Sequence, residues 1–344
     1  MHALRFVARR LAFAALLVFV VSSGSLWLVR LAPGDYASDV FGLGANPETV
    51  ARTRAQFGLD RPPIAQYGEW LGRAVRLDLG TSLLYRRPVR DLIAERARNT
   101  ALLAIIALVA ATFVGLPLGV LSGSRRGTLA ATIRLISVVC LSMPSLVTSL
   151  LLVYVAARTG WLPIGGMTSV GLQAETAGTF RALSDVLWHT VLPATALALP
   201  IAATLERLQS QAMAETMGQP FILTAAARGL SNGRIVWRHA WRAAAGPVSS
   251  LYGLIFGTLL SGSFVVEIVT AWPGLGRLMY DALRARDIYL VAGCAAAGSL
   301  FLAVGSVISD VALAAADPRL RDATARSGGQ NPPSPRLRRA RGPA

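Results

Sequence analysis

Six stretches of the chain are each apolar over the length needed to cross a lipid bilayer, and they leave few folds open. They run approximately Leu11–Leu31, Ala101–Leu121, Ile133–Ala157, Val186–Leu205, Leu251–Ala271 and Leu290–Ala316. The hydrocarbon core takes roughly 20 apolar residues as a helix, and inside it every backbone N–H and C=O must be satisfied within the protein. The expected fold class is therefore all-α, a polytopic membrane protein with six transmembrane helices. Composition agrees: 53% of residues are hydrophobic, 15% are charged, and mean hydropathy is +0.51, whereas about a quarter of a soluble domain is charged. Pro144 in the third stretch and Pro193 and Pro200 in the fourth predict kinks, which often line a path. The first stretch has a rival reading as a signal peptide, because Arg5, Arg9 and Arg10 precede it and Ser22, Ser23, Gly24 and Ser25 resemble a cleavage region. Trp27–Leu31 carry the apolar run past those small residues, which favours an uncleaved anchor.

Orientation follows from the arginines. The net charge of +16 contains no lysine, and the arginines lie largely in connections and tail, a pattern of topology and lipid headgroups, not of nucleic-acid binding. Arg125 and Arg126 separate the second and third stretches. Arg207, Arg228, Arg234, Arg238 and Arg242 separate the fourth and fifth, and Arg319, Arg321, Arg326, Arg336, Arg338, Arg339 and Arg341 follow the sixth. All three groups fall on one side, predicted cytoplasmic together with both termini. The connection 32–100 also carries arginines, but it mixes them with Asp35, Asp39, Glu48, Asp60, Glu69, Asp78, Asp91 and Glu95 and exceeds the roughly 60 residues over which the rule holds. It is placed outside, as an extracytoplasmic helical cap with a polar helix over Pro47–Phe57, a turn at Gly58–Pro63 and an amphipathic helix over Ile64–Leu77. The domains expected are thus a basic segment with the first helix (1–31), the cap (32–100), a five-helix core with a loop at 206–246 (101–316), and a tail (317–344) read as disordered from Ser327 for its Gly, Pro and Arg content. Cys140 and Cys294 lie within apolar stretches, which argues against a disulfide, and no metal-ligand spacing occurs.

The loop between the fourth and fifth stretches is the most specific local signal. Phe221–Arg242 reads FILTAAARGLSNGRIVWRHAWR. Its Ala-rich first part is helix-compatible, Gly229 can supply the left-handed residue that ends a helix, and Leu230 is placed for the accompanying hydrophobic contact. Ser231 or Asn232 can cap a second helix running through Trp241. Taken alone, this is a basic surface hairpin, and Arg234 and Arg238 are topology determinants and lipid anchors.

Thr-Ala-x-Ala-Arg-Gly-Leu followed by Arg-His-Ala resembles the cytoplasmic coupling loop of permeases in the oligopeptide/dipeptide/nickel class of ABC importers. The similarity extends in register from about Leu4 to Arg321. It takes in Leu31-Ala32-Pro33-Gly34-Asp35, Phe57-Gly58-Leu59-Asp60-Arg61-Pro62, Leu77-Asp78-Leu79-Gly80-Thr81-Ser82, Pro88-Val89, Ile93 and Thr100. It continues through Phe264-Val265-Val266-Glu267, Trp272-Pro273-Gly274-Leu275-Gly276, Ala285-Arg286-Asp287 and Asp317-Pro318-Arg319. Ala226 stands where the family commonly has a second basic residue, Trp241 where it has Leu, and Arg242 where it has Pro, departures that bear on fit to a particular ATPase.

The resemblance implies a type I importer-like permease in a bacterial inner membrane. It would form half of a pathway for a solute delivered by an extracytoplasmic solute-binding protein, with a second homologous permease subunit and two ABC ATPase subunits. Short peptides are the leading substrate, with nickel complexes, other peptide-like solutes and sugars left open. Thr224, Ala225, Ala226, Ala227, Arg228, Gly229, Leu230 and His239 become the ATPase-coupling loop, and Trp272, Pro273, Gly274 and Gly276 an outer loop. Candidates for the path or gate are Ser142, Met143, Pro144 and Glu267. An acid in a span is functional by default, although a snorkelling or arginine-paired Glu267 is the favoured reading, and small-residue packing explains Ser142–Pro144 equally well. His2, His189 and His239 are scattered and no Gly-rich loop ends in Lys-Ser or Lys-Thr. The expectation is therefore a transport subunit that binds no cofactor, with ATP used by its partners. The alternative is a secondary transporter or channel driven by an ion gradient, which near-absence of midplane charge disfavours; an intramembrane enzyme lacks its constellation.

Overall fold

Every apolar stretch forms helix, and most of the helices overrun the stretches that signalled them. The computed structural model describes residues 2–41, 46–169, 171, 178–249 and 252–316. Its elements are α1 (His2–Leu31), α2 (Tyr36–Phe41), α3 (Pro47–Gln56), α4 (Pro63–Ala74), α5 (Val89–Ser124), α6 (Thr128–Ser142), α7 (Ser145–Thr159) and α8 (Thr179–Met217). There follow α9 (Pro220–Ala227), α10 (Asn232–Arg234), a π-helical turn (Ile235–Ala240), α11 (Trp241–Ser249), α12 (Tyr252–Val269), α13 (Leu275–Arg284) and α14 (Ile288–Ala316). The tail beyond residue 316, including Asp317-Pro318-Arg319 and the segment from Ser327, lies outside the described residues.

Within α1, α5, α8 and α14 lie spans long and apolar enough to cross a membrane, and α6 with α7 forms a fifth, broken span. The shorter apolar helix α12 has 18 residues, a rise of about 27 Å against a hydrocarbon core of ~30 Å. Large apolar side chains stand exposed along α1, α6 and α7, among them Phe13, Leu28, Leu135, Ile136 and Leu150, as on a surface solvated by lipid.

Several boundaries differ from those expected. The cap ends at Pro88, not at residue 100, because α5 begins at Val89, and Val89 and Leu92 are already buried. The third stretch is not one span but two helices meeting at 102°. Pro144 is the reason: it cannot donate to the helix, and it drives Met143 out of the α region to φ −91°, ψ 114°. Pro193 and Pro200, by contrast, sit inside an unbroken helix of 39 residues. The loop expected at 206–246 starts twelve residues too early, since α8 continues to Met217 and α11 takes up the end. α4 stops at Ala74, short of Leu77, which turns to φ 62°. α3 starts where expected, its N-terminus capped by Asn46, whose side chain accepts from the Glu48 amide at 3.0 Å.

The core is organised around α5 and α8, the most extensively packed pair. Gly115, Gly119 and Gly123 recur every fourth residue along α5, so the two backbones meet with no side chain between them. A Cβ on these glycines would fall 2.5 Å from the Ala202 carbonyl oxygen, 2.6 Å from Gln209 Cβ and 2.4 Å from the Ser210 carbonyl oxygen. Such spacing is the means by which membrane helices approach closely. Two ends of the bundle follow from the chain path. One, the cap end, gathers α2–α4, the start of α5, the end of α12 and α13; there the Gly166 amide, beyond α7, donates to the Thr270 carbonyl at 3.0 Å. The other, the elbow end, gathers the ends of α5 and α8 with α9–α11.

Candidate functional site

At the elbow end, α9 opens on Pro220 and stops at the cap residue Arg228. Gly229 lies at φ 77°, its amide donates to Ala226 O at 2.9 Å, and the Leu230 amide donates to Ala225 O at 3.4 Å. These two bonds satisfy the last carbonyls of α9 in the Schellman arrangement, and Leu230 packs on the cluster formed by Ile222 and Ala225. Ser231 N-caps the next helix through its backbone, the Ile235 amide donating to Ser231 O at 3.0 Å, with no side-chain capping bond. The run expected to end at Trp241 continues through the π-helical turn into α11. That turn brings Trp237 and Trp241 into a stack 5.4 Å between centroids.

The elbow has an anchored face and a presented face. Ile222, Ala225, Ile235, Val236, Ala240 and Ala244 are buried against Val120 of α5 and Met213 of α8. Thr224, Ala226, Ala227, Arg228 and His239 are exposed, and Leu223 is 69% exposed. Ala225, expected among the docking residues, therefore faces inward and serves as an anchor. The face opposite the presented one is packed onto the ends of α5 and α8.

At the cap end the structure brings Glu267 together with the 272–276 turn. The Glu267 side chain is fully buried, accepting from Thr100 Oγ at 2.7 Å on one carboxylate oxygen and from the Gly276 amide at 2.7 Å on the other. Thr100 in turn accepts from the Leu275 amide at 2.8 Å. Trp272 Nε1 donates to Asn99 O at 3.1 Å, and Asn99 Nδ2 donates to the Pro273 carbonyl at 2.8 Å. The snorkelling or arginine-paired reading of Glu267 is thus corrected: its partners are a hydroxyl and a backbone amide. Gly274 makes room for it, since a Cβ there would lie 2.3 Å from Glu267 Cδ, and a Cβ on Gly276 would lie 2.4 Å from Phe264 Cα. The bend residues contribute none of these bonds; Ser142 and Pro144 are exposed and Met143 is half-buried at the α6–α7 junction.

A second buried carboxylate was legible only as part of a motif. Asp287 Oδ2 accepts from Ser82 Oγ at 2.7 Å and the Leu84 amide at 3.1 Å, while Oδ1 accepts from the Leu290 amide at the start of α14 at 3.1 Å. Burial pushes this carboxyl above the usual range, against the donors that surround it. The pairing of Ser82 with Asp287 joins residues 205 apart, a separation no local pattern reveals.

A bundle of long apolar helices with lipid-like exposed faces, ending in an elbow buried on one face and exposed on the other, defines a multi-pass membrane protein. Residues 115–322 match the family model described as binding-protein-dependent transport system inner membrane component, and residues 3–104 match the model of the N-terminal part of such components. A Brucella abortus protein bearing the name of a peptide transport system permease is 36% identical over 318 residues, covering 92% of this chain and 98% of the relative. The oligopeptide transport system permease AppB of Bacillus subtilis is 32% identical over 322 residues, with 92% and 98% covered. The glutathione transport system permease GsiC of Escherichia coli is 32% identical over 320 residues, with 92% and 99% covered. The chain belongs to this family of binding-protein-dependent permeases, the membrane-spanning components of ABC importers.

Proposed function

We propose that the chain forms half of a pathway for short peptides, completed by a second similar permease, powered by two ATPase subunits seated on the elbow and loaded by an extracytoplasmic binding protein. The relatives' names support the peptide class; the elbow supports the mechanism. In this reading both termini and the elbow are cytoplasmic, the cap is outside, ATP is used by the partner subunits, and this chain binds no cofactor. The observation that carries it is the two-faced elbow, closed by the Gly229 turn and packed onto the ends of α5 and α8. Nucleotide-driven closure of the ATPases would push on Leu223, Thr224, Ala227 and Arg228, and the rigid helices behind them would carry that displacement to the gate.

Gly229 supplies the test. No heavy atom lies within 4 Å of a Cβ built there, so a substitution meets backbone strain and not a clash. A left-handed residue other than glycine costs on the order of 1–2 kcal/mol, and asparagine tolerates the region best. Gly229→Val should therefore insert normally yet lose peptide uptake, with the ATPases dissociated or hydrolysing ATP idly, whereas Gly229→Asn should keep most of the uptake. Arg228→Glu should weaken ATPase co-purification in a salt-dependent way. Wild-type uptake and association in both Gly229→Val and Arg228→Glu would remove the elbow from the mechanism.

A further inference from the structure

A cavity of about 320 Å³ opens between α6 and α8, apart from the elbow and from the Glu267 cluster. Arg134 and Ser137 of α6 line one wall, and Glu206, Arg207 and Ser210 of α8 line the other. Glu206 is 1% exposed. One of its carboxylate oxygens accepts from Ser122 Oγ, near the end of α5, at 2.5 Å; no described residue bonds the other. The close approach of α5 and α8 at Gly119 and Gly123 is what sets Ser122 against it. Arg134 donates through Nε to the Ala130 carbonyl at 3.1 Å, and among the described residues no carboxylate lies within 4.0 Å of either guanidinium. Glu206 is buried while Arg134 and Arg207 are exposed, so charges of both signs line one small space without a direct ion pair between them.

A buried carboxylate without a directly bonded cation is costly, and guanidinium groups offer paired donors that match a carboxylate or phosphate. A single ligand meets both demands if it carries an ammonium and an anion a few bonds apart. The volume sits at the small end of the ~300–1,000 Å³ found for small-molecule sites, which suits a molecule of amino-acid to dipeptide size. We infer that this cavity binds a small zwitterion, Glu206 taking the ammonium and Arg134 and Arg207 the anionic group. Two sources share that chemistry: the termini of a short peptide, which rests on the peptide-importer reading and would make the cavity a resting place near the elbow end, and the phosphoethanolamine headgroup of a membrane lipid.

The test places a cysteine in the wall. Full-length chain carrying Ser137→Cys and Cys140→Ala, purified with whatever subunits accompany it, is set in nanodiscs of phosphatidylglycerol, which carries no cationic group, and its alkylation by N-ethylmaleimide is timed. Diglycine should slow the reaction, and N-acetyl-diglycine amide, which lacks both charges, should not. Glu206→Gln and Arg134→Gln should each weaken protection by about tenfold, the loss of one hydrogen bond to a charged group, with gel filtration confirming that each variant folds. Protection on adding phosphatidylethanolamine that diglycine does not increase would assign the lipid headgroup as the source. Absence of protection by either zwitterion, equal protection by the blocked peptide, or protection that survives both substitutions would overturn the site. Because labelling needs neither ATP nor transport, unprotected labelling alongside intact uptake would sink the cavity while leaving the importer reading standing.

Discussion

Glu267 holds the cap end of the core together through two bonds that reach across the sequence, to Thr100 on α5 and to the Gly276 amide at the start of α13. Removing the carboxylate should leave the buried Gly276 amide without a partner and the Thr100 hydroxyl proton without an acceptor, although Thr100 still accepts from the Leu275 amide, at about 1–3 kcal/mol for an unpaired group. Glu267→Ala should therefore lower thermal stability more than Glu267→Gln, whose amide can still accept from Gly276 and donate to Thr100. Gly274→Ala should destabilise for a different reason, because its Cβ would enter the space held by the carboxylate, 2.3 Å from Cδ. The two effects are coupled: once Glu267 is alanine, the added methyl has room, so the double variant should be no worse than Glu267→Ala alone. Additive losses, measured as the fraction that stays monodisperse on heating in detergent, would mean that the glycine and the glutamate are independent. Both residues were singled out from sequence as site candidates, but the contact between them was not, since an acid in an apolar run shows no partner until the turn at Trp272–Gly276 folds back on it. Gly229 was the opposite case, because the left-handed turn it makes follows from residues within one helical turn.

At the scale of elements, the break at Met143–Pro144 was legible as a kink because proline acts locally, while its size was not: a bend of 102° depends on how α6 meets α8 and how α7 meets α12 and α8. The Gly115–Gly119–Gly123 spacing is present in the letters, but small residues are common in apolar runs, and only the packing of α8 against α5 shows that these three lie in a contact. Its consequence is large. Gly119→Val would put a side chain where Gln209 Cβ and the Glu206 carbonyl already stand, at 2.6 Å and 2.7 Å from its Cβ, and would force α5 and α8 apart. Overpacking of this kind costs about 1–3 kcal/mol, so the variant should unfold at lower temperature than wild type. Gly24→Ala on α1, where a Cβ meets nothing within 4 Å, should leave the midpoint unchanged. A midpoint for Gly119→Val equal to that of wild type would show that the seam is not closed in the membrane.

For the whole molecule, the distribution of charge is the argument for orientation. Several arginines at the cap end pair with acids, as in Arg54 with Asp35 at 2.6 Å and Arg61 with Glu69 at 3.1 Å. Burial alone would raise the Asp35 carboxyl, but the hydrogen bonds from Arg54 and Ser38 outweigh it and hold the group below the usual carboxylate range. At the elbow end Arg228, Arg234, Arg238 and Arg242 are exposed, and none has a carboxylate within 4.0 Å among the described residues. Short basic connections are retained in the cytoplasm, whereas the connection between the apolar parts of α1 and α5, which takes in the cap and the polar first turns of α5 and so runs over 32–100, is translocated largely regardless of its charge. The elbow should then be cytoplasmic and the cap external. Glu69, Arg181 and Asn232 are all exposed on this chain, so cysteines placed singly at these positions, in a Cys140→Ala background with Cys294 fully buried, differ in labelling through sidedness and not through burial. An impermeant maleimide added to intact cells should label the cysteines at 69 and 181 and spare the one at 232 until the membrane is opened. Labelling at 232 from outside would invert the molecule, put the elbow beyond the reach of any cytoplasmic ATPase, and remove the basis for coupling through it.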